Sequence, residues 1–434
     1  MNNKRSFGLV IFIKLIIRNL SRKLLFTDFD IDKNIIVIST YHRHLFKIAE
    51  VFYKINRLEF LLSGIPSFRV KEVRINSKEN YIWINKFGFI SIFIRKIIDK
   101  YGFTRLKAFL TDSNSTLCDF YASIFIIKLR LKDFFLGRNK KRILIISGHT
   151  GYMAILISKK FKWTVICDMP ISNSRKISQR LEREFYKEGL EKLVLKNSKS
   201  FLREEKAIKF SDYLVVPNQS CKNSFICLKN QSKIFIAPYA LPNWEKIQEE
   251  ILFKEKKQSF KIITIGRLGI RKGTHILLDI YKDVEGIIDE WNLIGQESVE
   301  IANKLRDLKD LKKLKIHGSK SHSDIKTFLR KSTILVLPSL GEGMPLSIAE
   351  ALHYKCTIIC SKYCGILKGE NPNIHVIEKV ESNLFVEKIY EIFNSWKKNE
   401  ILDNFQSNFQ PYQLENQYQT NWKNILFEIT KDQN

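Results

Sequence analysis

Short apolar runs alternate with longer amphipathic segments along most of the chain. Residues 143–146 and 262–265 are examples of runs with the length and β-branched content of buried strands. Each run is followed by a glycine or polar loop, and then by apolar residues three and four positions apart, as on one face of a helix. Strands that alternate with helices form parallel sheets with helices on both faces. The pattern therefore predicts an α/β fold.

The alternation occurs twice, on either side of residues 238–243, which contain two prolines, lack periodicity and therefore form the best linker candidate. Two Rossmann-like, doubly wound lobes facing a central cleft are expected. Strands are predicted at residues 35–38, 58–62, 143–146, 164–167, 213–216, 234–237, 262–265, 291–294, 314–316, 334–337 and 357–360. Helices are predicted at residues 45–54, 152–161, 178–210 and 274–282, and after the caps Ser323 and Asp324.

Two further segments, residues 87–98 and 117–135, have the pattern of apolar helices with basic edges. They either contact an acceptor or lipid, or form only core. The predicted division of the chain is a basic extension (1–30), a first lobe (31–243), a second lobe (244–412) and a C-terminal helix (413–434) that crosses back to the first lobe.

A glycine loop follows the predicted strand 334–337, and a helix follows the loop. Pro345 suits the first helical position, where its missing N–H would have no partner in any case. Leu346, Ala349 and Leu352 would then share one face of the helix. The unit strand, loop, helix and strand is a parallel crossover, in which ligands bind where the strand ends and the helix begins.

Two carboxylates flank this helix start. The free N–H groups of a helix N-terminus favour an anion. Glu342 in the loop and Glu350 in the helix would instead accept hydrogen bonds from hydroxyls, as on a ribose or a sugar ring. A phosphate site bracketed by hydroxyl acceptors suggests a nucleotide-sugar. The alternative is a solvated glutamate beside an ordinary helix start.

A second group of candidate residues follows strand 262–265. Gly266 and Arg267 come directly after the strand, and Arg271 and Lys272 directly before the next helix, so they lie at the same edge of the sheet as Glu342. Cations at this edge would stabilise the charge that develops on a departing diphosphate, as a divalent metal otherwise does. In a chain this basic, such clusters also arise by chance.

The formal net charge of +28 and the pI of about 9.7 favour anionic partners, namely a membrane surface, nucleic acid or a phosphorylated substrate. A lysine- and isoleucine-rich composition typical of AT-rich genomes explains the charge equally well. No apolar run reaches the ~18 residues of a membrane span. Residues 6–26 form either a basic amphipathic helix on an anionic membrane or a helix packed on the first lobe.

The seven cysteines are interpreted as reduced thiols of a cytosolic protein, since no signal peptide is evident. Cys356, Cys360 and Cys364 recur every four residues, but residues 357–360 read as a strand, where this spacing does not converge on one point. No metal site is therefore expected.

The two motifs together resemble glycosyltransferase family 4. The resemblance rests on Gly266-Arg-Leu with Arg271-Lys-Gly, and on Leu337-Pro-Ser with Gly341-Glu-Gly-Met-Pro and Glu350-Ala-Leu. It is specific over residues 260–366 and looser before them. The family consists of retaining, two-lobed enzymes of the GT-B fold, in which the C-terminal lobe binds the donor and the N-terminal lobe faces the acceptor.

The resemblance implies a role for each matching residue. Arg267 and Lys272 would hold the donor diphosphate, Glu350 the ribose hydroxyls and Glu342 the transferred sugar. The remaining implied donor contacts are Gly266, Gly295, Gly318 at the nucleobase, Gly343, and the backbone of Met344, Pro345 and Leu346. His149 would reach the sugar from the first lobe; the alternative is a structural loop histidine. The family's glycine-rich loop after the first strand is replaced here by Tyr41-His-Arg-His44.

These observations predict a cytoplasmic, metal-independent retaining glycosyltransferase. It would move a hexose-type sugar from a nucleoside-diphosphate donor to a hydroxyl of a glycan or lipid-linked acceptor, at the inner face of a membrane. No cofactor is expected beyond the donor, and nucleic acid is not an expected partner. The alternative is a basic nucleic-acid-binding or membrane-binding protein whose nucleotide-binding lobes are inactive.

Overall fold

The computed structural model describes residues 33–40, 43–66, 75, 80–85, 104–190, 199–239, 247–306, 311–369, 371–399 and 415–431. The predicted basic extension, the predicted helix at residues 87–98 and most of the linker lie outside these residues. The described part of the chain contains two parallel sheets. The α/β prediction with two doubly wound lobes is confirmed.

The first sheet has seven strands in the order β3-β2-β1-β4-β5-β6-β7. All its pairings are parallel, so every carboxyl end lies at one edge. The strands are β1 (Ile35–Ser39), β2 (Leu58–Ser63), β3 (Tyr81–Trp83), β4 (Ile143–Ser147), β5 (Thr164–Asp168), β6 (Tyr213–Val216) and β7 (Ile234–Ile236).

The second sheet has six strands in the order β10-β9-β8-β11-β12-β13, again paired only in parallel. The strands are β8 (Lys261–Ile265), β9 (Glu290–Ile294), β10 (Leu314–Ile316), β11 (Ile334–Leu337), β12 (Thr357–Ser361) and β13 (Ile374–Ile377). Strands β3 and β13, at one edge of each sheet, were not predicted.

Helices cover both faces of each sheet. Those of the first half are α1 (Arg43–Lys54), α2 (Thr104–Phe135), α3 (Met153–Lys160), α4 (Ser174–Lys187), α5 (Lys199–Phe210) and α6 (Gln219–Phe225). Those of the second half are α7 (Glu249–Lys257), α8 (Thr274–Val284), α9 (Val299–Arg306), α10 (His322–Lys331), α11 (Leu346–His353), α12 (Ser382–Lys397) and α13 (Glu415–Lys431).

Strand β1 shows how the apolar runs build two cores at once. Because successive side chains of a strand point to opposite faces, Ile36 and Ile38 join the core under α2, α3, α5 and α6. Ile35 and Val37 join the core under α1 and α13 on the other face. A strand buried on both faces reads as a continuous apolar run, which explains why these strands could be predicted from sequence.

Helix boundaries were predicted less well. The single helix expected over residues 178–210 is wrong, because α4 ends at Lys187 and Gly189 adopts a positive φ of 67° that an α-helix does not allow. Helix α10 is capped by Ser321, whose hydroxyl accepts from the Asp324 N–H in a capping box, and not by Ser323.

The helix after the glycine loop also begins one residue later than predicted. Pro345 is its N-cap rather than its first helical residue. Ala349 and Leu352 are buried as expected, whereas Leu346 is exposed and does not share their environment.

The C-terminal helix α13 packs on the first sheet. Tyr418, Trp422, Ile425 and Ile429 recur at helical spacing and join the core that contains α1 and β1. Trp422 meets Phe52 of α1 edge to face, with ring centroids 6.0 Å apart. Within the described residues, no helix combines the length and apolar content needed to cross a bilayer.

The docking of α13 predicts a stability effect. Trp422 is 1% exposed, so Trp422→Ala leaves a cavity and should lower the free energy of unfolding of the first lobe by about 3–5 kcal/mol. Phe427 on the same helix is 69% exposed, and Phe427→Ala should change this free energy by about 0.5 kcal/mol or less. Denaturant titration measures both, and equal effects would contradict the packing of α13.

Candidate active site

The strand order of the second sheet reverses between β8 and β11, which lie side by side. In parallel α/β sheets, ligands bind outside the carboxyl ends of the strands at such a point. The loop after β8 runs from Gly266 to Gly273, and the loop after β11 runs from Pro338 to Pro345. Both predicted motifs therefore border the same crevice.

A buried carboxylate joins the two loops. Glu342 Oε1 lies 3.0 Å from Lys272 Nζ and 2.8 Å from Arg271 Nη1. Glu342 and Lys272 are each only 8% exposed, and charges removed from water in this way need a partner. The fold thus brings two of the predicted site residues, Lys272 and Glu342, into direct contact.

The backbone around Glu342 is fixed as well. Arg271 Nη1 donates to the Gly341 carbonyl at 2.7 Å, and Leu340 N–H donates to the Arg271 carbonyl at 2.8 Å. The N–H of Glu342 donates to the carbonyl of Tyr363 at 2.9 Å. These bonds fix the position of the loop that carries Glu342.

Gly266 is required for Lys272 to reach this position. Gly266 has a φ of 142°, and a Cβ at this residue would lie 2.7 Å from Cε of Lys272. A side chain at position 266 would therefore displace the lysine from Glu342. This contact gives a physical reason for the glycine that the sequence motif contains at this position.

The other predicted residues of the second lobe lie around the same edge. Arg267 is exposed, and it is Arg271 that pairs with Glu342. Gly295 and Gly318 follow the neighbouring strands β9 and β10, and the N–H of Gly295 donates to the Gly318 carbonyl at 2.9 Å. A Cβ at Gly318 would meet nothing within 4 Å, so space lies beside this backbone.

Glu350 lies on α11, away from the lysine pair. Its Oε1 is 3.5 Å from Nδ1 of His322, whose side chain is exposed. Burial raises the pKa of Glu350, and the charge on His322 opposes this shift. A carboxylate that has lost much of its hydration is suited to accept hydrogen bonds from a ligand's hydroxyls.

The glycine loop after β11 also contacts the first lobe. A Cβ at Gly343 would lie 1.8 Å from the Pro170 carbonyl oxygen, and the Gly343 carbonyl accepts from Asn218 Nδ2 at 2.6 Å. Ser172 Oγ donates to the Glu342 carbonyl at 3.3 Å. Met344 is held similarly, since its Sδ lies 3.3 Å from the backbone N of Tyr239. Residues 338–345 thus form one wall of an interlobe cleft.

Helix α4 adds a second set of interlobe contacts. Arg180 Nε donates to the Leu340 carbonyl at 2.7 Å, and its guanidinium lies 4.1 Å from the ring centre of Tyr363. His275 of α8 lies 3.4 Å from Glu184 Oε2, and this contact lowers the pKa of Glu184. The lobes therefore meet in a closed arrangement around the glycine loop.

The first lobe presents His149 at its own strand-order reversal, between β1 and β4. Nδ1 of His149 lies 3.5 Å from Oε2 of Glu204, a residue that is almost fully buried. The other oxygen of Glu204 accepts from the N–H of Ser174 at the start of α4, at 3.0 Å. Glu204 therefore lies between His149 and the start of α4, within ion-pair distance of the imidazole but with no hydrogen bond to Oε2 from the described residues.

A residue missed in the sequence, Asp119 of α2, supports the same loop. Its carboxylate accepts from the backbone N–H groups of Tyr152, Met153 and Ala154 at 2.9–3.0 Å. Burial raises the pKa of Asp119, and the three hydrogen bonds oppose this shift. A carboxylate of the chain thus occupies the N-terminus of α3, where a phosphate would otherwise bind.

A histidine–aspartate pair also lies at the carboxyl edge of the first sheet, near the loop after β1 where the sequence departs from the family pattern. His44 Nε2 is 2.5 Å from Oδ2 of Asp168, the last residue of β5. The His44 ring lies 5.4 Å from the ring of Tyr239, and the backbone N of Tyr239 contacts Met344 Sδ. His44 lies in the first turn of α1 rather than in a loop, so this helix contributes a polar group at the carboxyl edge of the first sheet.

The cysteines show no arrangement for a metal. Cys356, Cys360 and Cys364 are buried, and Cys356 lies 3.3 Å from Nζ of the buried Lys256. Among the residues that the structure describes, no group of three or more His, Cys, Asp or Glu side chains is placed to hold a metal ion.

Comparison with known proteins supplies an independent observation about the second lobe. Residues 245–408 match the family Glycosyl transferases group 1. This group 1 segment contains strands β8 to β13 and both loops that meet at Glu342.

Relatives with similar sequences are glycosyltransferases. The chain is 30% identical to an uncharacterized glycosyltransferase of Methanocaldococcus jannaschii over 279 residues, which is 59% of this chain and 64% of the relative. It is 25% identical, over 43% of this chain and 57% of the relative, to the Escherichia coli UDP-Gal:alpha-D-GlcNAc-diphosphoundecaprenol alpha-1,3-galactosyltransferase. The chain thus spans less than two thirds of either relative.

Solved structures match almost the whole chain in fold. HepE of Anabaena, solved with UDP, superposes with a TM-score of 0.58 at 11% identity, covering 91% of this chain and 100% of HepE. Sucrose-phosphate synthase of Thermosynechococcus elongatus superposes with a TM-score of 0.58 at 10% identity, covering 92% of this chain and 98% of the synthase. The two-lobed architecture is the GT-B fold.

The Gly343 contact predicts how the lobes respond to a small substitution. Gly343→Ala places a methyl group against the Pro170 carbonyl, so the cleft should open and the radius of gyration in small-angle scattering should increase. In the matched control Gly286→Ala, the new Cβ meets nothing within 4 Å, and the scattering should stay that of the wild type. A Gly343→Ala variant that scatters like the control would contradict the closed arrangement.

Proposed function

We propose that the protein is a retaining glycosyltransferase of family 4 that moves a hexose from a nucleoside-diphosphate donor to a hydroxyl acceptor. The observation that carries the proposal is the pairing of Lys272 with Glu342 at the strand-order reversal of the second sheet. The match of residues 245–408 to group 1 glycosyltransferases supports it, because both residues lie in that segment.

In the proposed donor site, different residues bind the diphosphate, the ribose and the base of the ligand. Lys272 and Arg267 bind the diphosphate, whose negative charge increases as its bond to the anomeric carbon breaks. Glu350 accepts hydrogen bonds from the ribose hydroxyls, and the open backbone at Gly318 leaves room for the base. Because fixed cations stabilise the departing diphosphate, the transfer proceeds without a divalent metal.

Glu342 has a double role in this proposal. Its carboxylate pairs with Lys272 and Arg271 and offsets one of their two positive charges, so that Lys272 can stay charged in a buried position. When phosphate oxygens take over these cations, the carboxylate becomes available to the hydroxyls of the transferred sugar. His149 approaches the same sugar from the first lobe, with the Glu204 carboxylate 3.5 Å from its Nδ1.

The proposed acceptor is a lipid-linked or cell-surface glycan precursor at the cytoplasmic face of a membrane. The Escherichia coli relative is named for transfer from UDP-Gal to a diphosphoundecaprenol-linked sugar. The net charge of +28 suits an anionic membrane surface.

Donor turnover tests the proposal. The protein, incubated with UDP-, GDP- or ADP-sugars and a lipid-linked acceptor in the presence of a chelator, should release nucleoside diphosphate. Lys272→Ala should lower kcat by about 10²–10³-fold, the range found when one group that stabilises a developing anion is removed. In the matched control Lys282→Ala, an exposed lysine of the same lobe is lost, and kcat should not change.

Two results would contradict the proposal. Equal rates for Lys272→Ala and the wild type would remove Lys272 from the site. Salt-sensitive binding to duplex DNA without any binding of nucleotide-sugars would favour the alternative of a basic binding protein with inactive lobes.

A further inference from the structure

The outer side of helix α2 exposes an apolar stripe. Apolar residues recur at three- and four-residue spacing over the last five turns of the helix, so they lie on one side. Phe134 and Phe135 at the end of the stripe are 71% and 81% exposed. The stripe consists of Leu117, Phe120, Ile124, Ile127, Leu131, Phe134 and Phe135, continued by Leu136; Phe120 and Ile124 are half-buried and the others exposed. It is about 27 Å long at the rise of an α-helix.

Cations border the stripe. On a helical projection Arg130 lies on one side of it, and Lys128 and Lys132 on the other. Arg138 and Lys141, three and six residues after Phe135, are exposed as well.

The acidic residues of this region point inward. Between residues 117 and 141 the two acidic residues are Asp119 and Asp133, and both are buried. Asp119 caps α3, and Asp133 pairs with the buried Arg142. The outward face is therefore apolar in the middle and positive along its borders. A second copy of the chain would bring like charges together, and a nucleic acid would leave the stripe in water.

The stripe begins beside the cleft. Asp119, two residues after Leu117, binds the backbone of the loop that carries His149. At its other end, Phe135 precedes the start of β4, at the opposite edge of the sheet from the cleft. A flat surface that contacts the whole stripe therefore also lies next to the first-lobe wall of the cleft.

We propose that the outer face of α2, from Leu117 to Leu136, docks on an anionic lipid surface. The apolar stripe enters the boundary between headgroups and acyl chains, and the flanking cations bind the headgroups. This inference deepens the proposed function, because it identifies the surface that would bring the cleft to a lipid-linked acceptor.

Vesicle flotation of the full chain, without donor or acceptor, tests the docking. The wild type should bind vesicles of phosphatidylcholine with phosphatidylglycerol much more strongly than vesicles of phosphatidylcholine alone. The double substitution Phe134→Ser and Phe135→Ser should lower the partition coefficient at least about tenfold, because two exposed aromatic anchors are lost. In the matched control Phe427→Ser, an equally exposed phenylalanine on the opposite face of the first sheet is lost, and binding should not change.

A charge variant provides a second, independent readout. Arg138→Glu with Lys141→Glu should lower binding to the anionic vesicles by about fivefold or more for each cation lost. Wild-type protein that binds neither vesicle would overturn the proposal, as would binding that both variants retain, since the contact would then lie elsewhere. Vesicle binding does not involve turnover, so a failure here is distinct from a failure of glycosyl transfer.

Discussion

A buried carboxylate shared by two cations determines the geometry of the candidate site. Glu342 binds Lys272 and Arg271 through one oxygen, and this contact joins the loops after β8 and β11. Losing Glu342 would remove the carboxylate partner of the buried Lys272, and an unpaired buried charge costs far more than the pair itself contributes. The pair therefore restricts the two loops to one arrangement, and a donor phosphate would meet cations that are already in place.

The same loop links the two lobes. Its carbonyl groups at Glu342 and Gly343 accept from Ser172 and Asn218, which follow strands of the first sheet. The acidic residue at the candidate site is thus positioned by both halves of the molecule. Any movement of one lobe relative to the other changes the surroundings of Glu342, so closure of the cleft and completion of the site are coupled.

The sheets and the shared edge of Lys272 and Glu342 could be predicted, because each depends on local sequence; their direct contact was not predicted. Buried strands read as apolar runs, and residues at the carboxyl ends of parallel strands must share an edge. The contacts of Asp119 could not be predicted, because they join α2 to a loop more than thirty residues away. The contact of Arg271 with Glu342 was not predicted either; Arg271 lies in a short 3-10 turn at Ile270–Lys272. The end of α4, by contrast, could have been predicted from Gly189, which adopts a positive φ just after the helix.

A crystal structure with the nucleoside diphosphate that raises the melting temperature most would test the central claim directly. The account predicts that phosphate oxygens bind Nζ of Lys272 and replace its contact with Glu342, while the ribose hydroxyls bind Glu350. A bound nucleotide that leaves the Lys272–Glu342 pair intact, with its diphosphate away from the start of α11, would contradict the account.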